Sequence, residues 1–165
     1  MQSGMTTTDF EALYERSLDE VYRYASRLTG GDRVRTDELV QETYLGVLRA
    51  ATDVEPTTSY LITACRHRFL DQLRSERRRR TREERVAIPG DTPPVDPATV
   101  TNGPAVTALG ALSDEHRAAL VLRYVDDLTV ADVADELGRS VRATESLLVR
   151  ARNALRTAYR EGDRP

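Results

Sequence analysis

Residues 128–156, LTVADVADELGRSVRATESLLVRARNALR, decide the fold of this chain of 165 residues. The first half predicts a short amphipathic helix from Val130 to Leu137. It should end at Gly138, because glycine readily adopts the left-handed backbone found at helix ends. A second helix follows, and Ser140 stands where it can cap that helix. Two helices joined by a glycine turn are the layout of a helix-turn-helix, whose second helix can enter a DNA major groove.

The second of these helices divides its residues into two faces. The predicted inner face, at helical spacing, consists of Val141, Thr144, Leu148, Ala151 and Leu155. The predicted outer face consists of Arg142, Ala143, Ser146, Val149, Arg150 and Asn153. Arginine can bind guanine or phosphate, and serine and asparagine are adaptable partners for base edges. An ordinary surface helix with solvated arginines is the alternative interpretation.

Charge is segregated along the chain, although the formal net charge is only -3. Residues 114–136, the acidic segment, contain seven acidic residues and two arginines. Residues 139–160 contain six arginines and one glutamate, and a further arginine block, RHRFLDQLRSERRRRTREER, spans residues 66–85. Because nucleic-acid binding follows a local basic patch more than the net charge, this pattern favours a DNA-binding function.

The rest of the chain also has helical spacing of its apolar residues, so the predicted fold class is all-α. Thr8 and Glu11 have the spacing of a capping box, which predicts a first helix over about 9–29 that ends at Gly30 and Gly31. Further helices are expected over 36–51, from 58 into the arginine block, over 105–112 and over 114–124.

Residues 86–104, VAIPGDTPPVDPATVTNGP, differ from the rest in composition. They contain five prolines, two glycines and no aromatic residue, so they cannot bury a core. We therefore predict two small helical domains joined by a flexible proline-rich linker over 86–104. The N-terminal helical domain covers 9–85, and the C-terminal domain, over 105–161, contains the helix-turn-helix.

The third helix carries a polar face opposite its apolar stripe. Spacings of three and four place on this face Tyr60, Thr63, His67, Asp71, Arg74 and Arg78. Rings that stack on bases, followed by arginines that hold phosphates, suit a single-stranded or melting nucleic acid. The alternatives are a solvated helix end for the arginines and simple rim contacts for Tyr60 and His67.

Enzymatic and metal-binding functions are disfavoured. Cys65 and His67 project about 200 degrees apart on a helix, so they cannot form a hydrogen-bonded dyad. The single cysteine excludes an internal disulfide and a cysteine-based zinc site, and Cys65 is predicted to lie in the core. No metal, cofactor or small-molecule substrate is expected. The lack of a signal peptide or long apolar run predicts a cytoplasmic protein without membrane insertion.

The second helix has one apolar residue on its polar outer face. Leu45 lies among Glu38, Gln41 and Glu42, and could be the apolar centre of a small protein-docking patch. Single exposed leucines are also ordinary on protein surfaces, so this pattern alone does not establish a docking site.

Three segments of the chain together resemble the extracytoplasmic-function (ECF) sigma factors of bacterial RNA polymerase, from about residue 9 to residue 160. DELVQETYLGVLRA, residues 37–50, resembles the segment that docks on the largest polymerase subunit. SYLITACRHRFLDQLRSERRRR, residues 59–80, resembles the segment that melts and reads the upstream edge of the transcription bubble. ALSDEHRAALVLRYVDDLTVADVADELGRSVRATESLLVRARNALR, residues 111–156, resembles the helix-turn-helix that reads the minus-thirty-five element.

The resemblance implies a role for each matching position. Core RNA polymerase would be bound by Glu38, Leu39, Gln41, Glu42 and Leu45. Promoter DNA at the minus-ten element would be faced by Tyr60, His67, Asp71, Arg74, Arg77 and Arg78. The minus-thirty-five element would be faced by Arg142, Ser146, Leu147 and Arg150. The family also implies an anti-sigma factor as a further partner.

Several positions depart from the pattern of the family. Tyr60 stands where tryptophan is usual, His67 where asparagine is usual, and Glu38 where an aspartate is common. The recognition helix has Arg142-Ala143-Thr144 in place of a frequent Gly-Thr-Val, and Leu147 in place of an arginine. These departures bear on the promoter sequence that is read, and not on the class of activity.

Two other functions fit parts of the sequence. A stand-alone helix-turn-helix regulator would use its N-terminal helices to dimerise or to sense a ligand, and would leave a footprint with dyad symmetry without polymerase. A helical adaptor without a DNA role would tolerate loss of the arginines over 74–80.

Overall fold

The computed structural model describes residues 5–50, 55–83 and 103–162, which contain seven α-helices and no strand. The helices are α1 Thr7–Thr29, α2 Arg33–Arg49, α3 Thr58–Glu83, α4 Pro104–Gly110, α5 Asp114–Tyr124, α6 Val130–Leu137 and α7 Val141–Gly162. The predicted all-α fold is confirmed. Most of the predicted linker, residues 86–102, lies outside the described residues. Among the described helices, none combines the length and apolar character that a membrane crossing would need.

Helices α5 and α6 begin and end where the sequence predicted, because clear capping residues flank them. The side chain of Ser113 accepts a hydrogen bond from the His116 backbone N–H at 3.3 Å, and Gly138 ends α6 with φ +62°. Ser140 caps α7 by accepting from the Ala143 N–H at 3.2 Å. Helix α4 ends two residues earlier than predicted, since a tight turn over 108–112 replaces its last residues.

The first two helices begin earlier than predicted. The capping box of α1 is formed by Thr6 and Asp9, with the Asp9 N–H donating to Thr6 Oγ1 at 3.2 Å, and not by Thr8 and Glu11. In return, Thr6 donates to Asp9 Oδ2 from its hydroxyl at 2.6 Å and from its backbone N–H at 3.1 Å, and these two hydrogen bonds lower the pKa of Asp9. Helix α2 is capped by Asp32, whose carboxylate accepts from the Arg35 N–H at 3.1 Å, so the helix begins three residues before Thr36.

The helices form two groups, each packed around an apolar centre. Helix α1 packs against α2 and α3, and α7 packs against α4, α5 and α6. The buried residues of the first group include Leu13, Leu61 and Phe69, and those of the second include Leu122 and Val133. Helix α1 also touches α4 and α5, and α3 touches α5 and α6. One continuous cluster of buried side chains therefore joins the two groups.

Arg117 lies at the junction of the two groups, with only 1% of its surface exposed. Its guanidinium donates to the backbone carbonyl oxygen of Leu28, at the end of α1, at 3.1 Å. It also donates to the carbonyl oxygens of Leu109 at 2.9 Å and of Leu112 at 2.7 Å. Asp114 Oδ1 accepts at 2.9 Å and supplies the opposite charge. Burial lowers the pKa of Arg117, but a guanidinium remains charged in a protein.

A second contact at this junction links α2 to the start of α5. Arg35 donates from both terminal nitrogens to the carboxylate of Asp114, at 3.1 Å and 2.8 Å. Burial alone would raise the pKa of Asp114, but the hydrogen bonds and charges of Arg35 and Arg117 outweigh burial and lower it. The backbones also meet closely here, since a Cβ added to Gly110 would lie 2.6 Å from the Gly30 carbonyl oxygen.

Replacing Arg117 with alanine should lower the free energy of unfolding by about 3–5 kcal/mol, because three carbonyl groups and one carboxylate lose a buried partner. Urea denaturation followed by circular dichroism measures this loss. Arg156→Ala is the control, since Arg156 is exposed on α7, and it should change stability by no more than about 0.5 kcal/mol. Similar small losses in both variants would contradict the structural role given to Arg117.

Candidate protein and nucleic-acid interfaces

The outer face of α2 is a polar surface with one apolar residue at its centre. Glu38, Gln41 and Glu42 are exposed, and Leu45 has 38% of its surface exposed. Gln72 of α3 donates to Glu42 Oε2 at 3.1 Å and holds that side chain at the edge of the face. Leu39, which the resemblance assigned to the same contact, is only 2% exposed. It belongs to the core, because it lies on the side of α2 that faces α1 and α3, so it supports this face from beneath.

An aromatic groove lies beside this face, between α1 and α2, with a volume of about 440 Å³. Its wall includes Phe10, Tyr14 and Tyr44, whose ring centroids lie 5.0–6.1 Å apart. Leu45 and Leu48 form the other edge. Helical spacing alone places Leu48 on the inner face of α2, whereas Leu48 is exposed, so the groove could not be recognised from spacing. The aromatic spacing of residues 10 and 14 was the available signal.

The polar face of α3 is largely open to solvent, as the sequence predicted. Tyr60, Asp71 and Arg78 are exposed, and the His67 ring is more than half exposed. Arg74 is only half-buried, because it donates to Asp71 Oδ1 at 2.9 Å and also to the Glu136 backbone carbonyl oxygen of α6. The face therefore carries exposed rings in its first half and cations in its second half.

The arginines of α3 form one side of a cleft against the helix-turn-helix. This arginine cleft has a volume of about 530 Å³, and its walls are Arg74, Arg77, Arg78, Thr81, Arg82, Leu137 and Gly138. Four guanidinium groups within one cleft create a positive potential that suits phosphate oxygens. Leu137 and Gly138 come from the turn of the helix-turn-helix, so the N-terminal arginines and the C-terminal domain meet at this place.

The outer face of α7 keeps most of the residues predicted for it. Arg142, Ser146 and Arg150 are exposed, and Ser146 Oγ donates to the Arg142 carbonyl oxygen at 3.1 Å. Val149 also lies outside, with 48% of its surface exposed. Leu147 is 2% exposed and packs in the core. The assignment of Leu147 to a DNA-facing position is therefore corrected, because the inner stripe of α7 is wide enough to include residue 147 beside residue 148.

Cys65 lies in the core, as predicted, with no exposed surface. Burial raises the pKa of its thiol to about 12, against smaller opposing effects of a Thr43 hydrogen bond and of Arg68. The thiolate, which is the reactive form, is therefore scarce at neutral pH. This environment gives Cys65 a packing role.

Comparison with known proteins gives matches on both sides of the proline-rich stretch. The family model described as Sigma-70 region 2 matches residues 13–79, and that described as Sigma-70, region 4 matches residues 104–155. An ECF RNA polymerase sigma factor, SigK of Mycobacterium sp. (strain KMS), is 31% identical over 147 residues, covering 83% of this chain and 76% of the relative. SigL of Mycobacterium tuberculosis, of the same description, is 31% identical over 157 residues, covering 91% and 88%.

The fold is also similar to that of a solved structure, the sigma factor RpoE in complex with the anti-sigma factor NepR from Bartonella quintana. The TM-score is 0.52, at 23% sequence identity, and the match covers 96% of this chain and 100% of that one. At this identity the likeness concerns the fold alone.

The corrected position of Leu147 predicts different effects for two neighbouring substitutions. Leu147→Ala should lower the free energy of unfolding by about 2–5 kcal/mol, because it leaves a cavity beneath α7. Val149→Ala removes apolar surface that is already half exposed, and should cost less than about 1 kcal/mol. Thermal and urea unfolding of both variants measure the difference. Equal small losses of unfolding free energy in the two variants would contradict the burial of Leu147.

Proposed function

Because this chain belongs to the ECF RNA polymerase sigma factors, we propose that it binds core RNA polymerase and directs it to promoter DNA. The chain itself carries out no reaction, since RNA synthesis is the work of the polymerase. Its place of action is therefore the bacterial cytoplasm. The observation that carries the proposal is the exposed face of α3, which leads from stackable rings into the arginine cleft.

The outer face of α2 is the proposed polymerase contact. A polar rim of Glu38, Gln41 and Glu42 surrounds Leu45, which matches the usual anatomy of a small protein interface. The aromatic groove extends the apolar part of this surface on one side. An anti-sigma factor that covered the same surface would compete with polymerase, and we propose such an inhibitor as the third partner.

The polar face of α3 is the proposed site of promoter melting at the minus-ten element. Tyr60 offers a ring on which an unstacked base can lie, and Arg77 and Arg78 can hold the phosphates of the same strand. Extruding a base from the duplex costs a few kcal/mol, which stacking and phosphate contacts offset. His67 and Asp71 are exposed on α3 between the ring and the arginines, and would contact base edges.

The outer face of α7 is the proposed contact with the minus-thirty-five element. Arg142 and Arg150 can reach guanine edges or phosphates in the major groove, and Ser146 can hydrogen-bond to either strand. Val149 adds an apolar contact suited to the methyl group of thymine. Leu147 acts here only through the core that holds α7 in place.

Neither DNA surface is large, so affinity depends on their use together. Polymerase binding brings both into one complex, where the second contact is formed at a high effective concentration. We propose that the linker over 86–104 sets the distance between the two DNA-binding surfaces. The free chain then binds promoters poorly, and the acidic residues elsewhere oppose indiscriminate binding to DNA.

Run-off transcription with purified core polymerase and a pool of bacterial promoters tests the function directly. We expect transcription start sites that require this protein, with two shared promoter elements upstream of them. A polymerase-independent footprint with dyad symmetry, together with no new start sites, would instead support a stand-alone helix-turn-helix regulator. Failure to co-elute with core polymerase would contradict the docking role of α2.

Replacing Arg78 with alanine should reduce promoter melting about tenfold, as expected for loss of one charge-assisted phosphate contact, while polymerase binding stays unchanged. Permanganate reactivity of unpaired thymines measures melting, and co-elution measures polymerase binding. Arg79→Ala is the matched control, because Arg79 is the next residue of α3, is exposed, and pairs with Glu83 at 3.6 Å. Equal losses in the two variants would show that α3 contributes only general positive charge.

A further inference from the structure

Helix α2 contains one glycine, Gly46, and the side chain of Arg68 from α3 lies directly over it. A Cβ added to Gly46 would stand 2.7 Å from Arg68 Cζ and 3.1 Å from Arg68 Nε. A side chain at this position would therefore displace the guanidinium. Because glycine is less favourable than alanine in the middle of a helix, its presence there needs a local reason. The room that it leaves for Arg68 is such a reason.

Gly46 lies at the edge of the outer face of α2 that borders α3. Glu42, one turn earlier on α2, accepts a hydrogen bond from Gln72 of α3 at 3.1 Å. Arg68 precedes Gln72 by one turn of α3, so the two contacts are successive steps along an antiparallel pair of helices. The guanidinium of Arg68 is therefore held beside the face that has Leu45 at its centre.

Arg68 takes part in no ion pair within the part of the chain that the structure describes. It is half-buried, so its stem is packed and its position is restricted. By contrast, three other half-buried arginines each pair with a carboxylate, namely Arg35, Arg66 and Arg139. A cation that is held in one place without a counter-charge is suited to bind a carboxylate of another molecule.

The outer face of α2 changes its charge along the helix. Glu38 and Glu42 are exposed in its first part, Leu45 follows, and Arg49 is exposed in the last turn. Arg68 adds a second cation beside the last part of the helix. The face therefore has a negative end, an apolar centre and a positive end. A partner with the opposite order of charges binds it in one direction only, because reversal would place like charges together.

We propose that Arg68 belongs to the polymerase-binding surface, where it pairs with a carboxylate of the polymerase, and that Gly46 is the residue that positions it. The inference rests on the proposed function, because it requires that polymerase docks on α2. It extends the contact from one helix to two. It also gives the chemistry of the polymerase surface, with cations opposite Glu38 and Glu42 and a carboxylate opposite Arg68.

The first test removes the charge of Arg68 and keeps most of its stem. Arg68→Gln should bind purified core polymerase about tenfold more weakly, as expected for loss of one charge-assisted contact. Fluorescence anisotropy of the labelled full chain, titrated with core polymerase, measures the Kd. Arg23→Gln is the matched control, because Arg23 is exposed on α1 and its loss changes the net charge equally. Unchanged affinity of Arg68→Gln, or equal losses in the two variants, would overturn the proposal.

Reversal of the charge tests the sign of the group on the polymerase. Arg68→Glu should bind severalfold more weakly than Arg68→Gln, because it sets one carboxylate against another. The control, Arg23→Glu, should bind as Arg23→Gln does. If Arg68→Glu binds as tightly as Arg68→Gln, the polymerase presents no carboxylate at this place and the proposal is wrong.

A second set of variants tests the role of Gly46. Gly46→Ala should weaken polymerase binding, because the added methyl group displaces the guanidinium. In a chain that already carries Arg68→Ala, it should cause no further loss. Urea unfolding checks the fold, and the double variant should be at least as stable as Arg68→Ala alone, since alanine favours the helix. Losses of affinity that multiply in the double variant would contradict the positioning role of Gly46.

Failure of the proposed function gives a different result. If the wild-type chain does not bind core polymerase, the docking role of α2 is wrong, and the role of Arg68 fails with it. If the wild-type chain binds and Arg68→Gln binds equally well, docking on α2 stands and only the role of Arg68 is wrong.

Discussion

The burial of the Arg117 guanidinium is the constraint on which the arrangement of the two domains depends. A charged group without water must find partners for its donors, or the fold loses several kcal/mol. Here the partners are the carbonyl groups of Leu28, Leu109 and Leu112 and the carboxylate of Asp114. Leu28 lies in the last turn of α1, and the other three residues flank the turn between α4 and α5. Satisfying the donors of one side chain therefore positions the C-terminal domain against the N-terminal one.

Around Arg117, the junction of the two domains is held by two other kinds of interaction, apolar packing and ion pairs. A continuous cluster of buried apolar residues passes from α1 and α3 to α5 and α6, and it is non-directional. Ion pairs lie at the two ends, Arg35 with Asp114 near α2 and Arg66 with Asp126 and Glu136 near α6. Domains of one chain commonly move relative to each other when their interface is modest. Because ion pairs lie at both ends of this junction, a group that competes for Arg35 or Arg66 favours such motion.

Much of this fold could be predicted from local chemistry. Helical spacing with glycine or hydroxyl caps was sufficient to predict the bounds of α5 and α6. Spacing cannot choose between two overlapping capping boxes, so Thr8 was predicted as the N-cap of α1, where Thr6 is the cap. Leu39 was predicted to contact polymerase and Leu147 to contact DNA, although both are core residues. A matched motif includes the residues that touch a partner together with the buried residues that support them, and does not distinguish the two. The burial of Arg117 was not predicted, since three of its four partners are backbone carbonyl groups, which no residue pattern reveals. The segregation of charge was visible, but the pairing of opposite charges across the domains requires three dimensions.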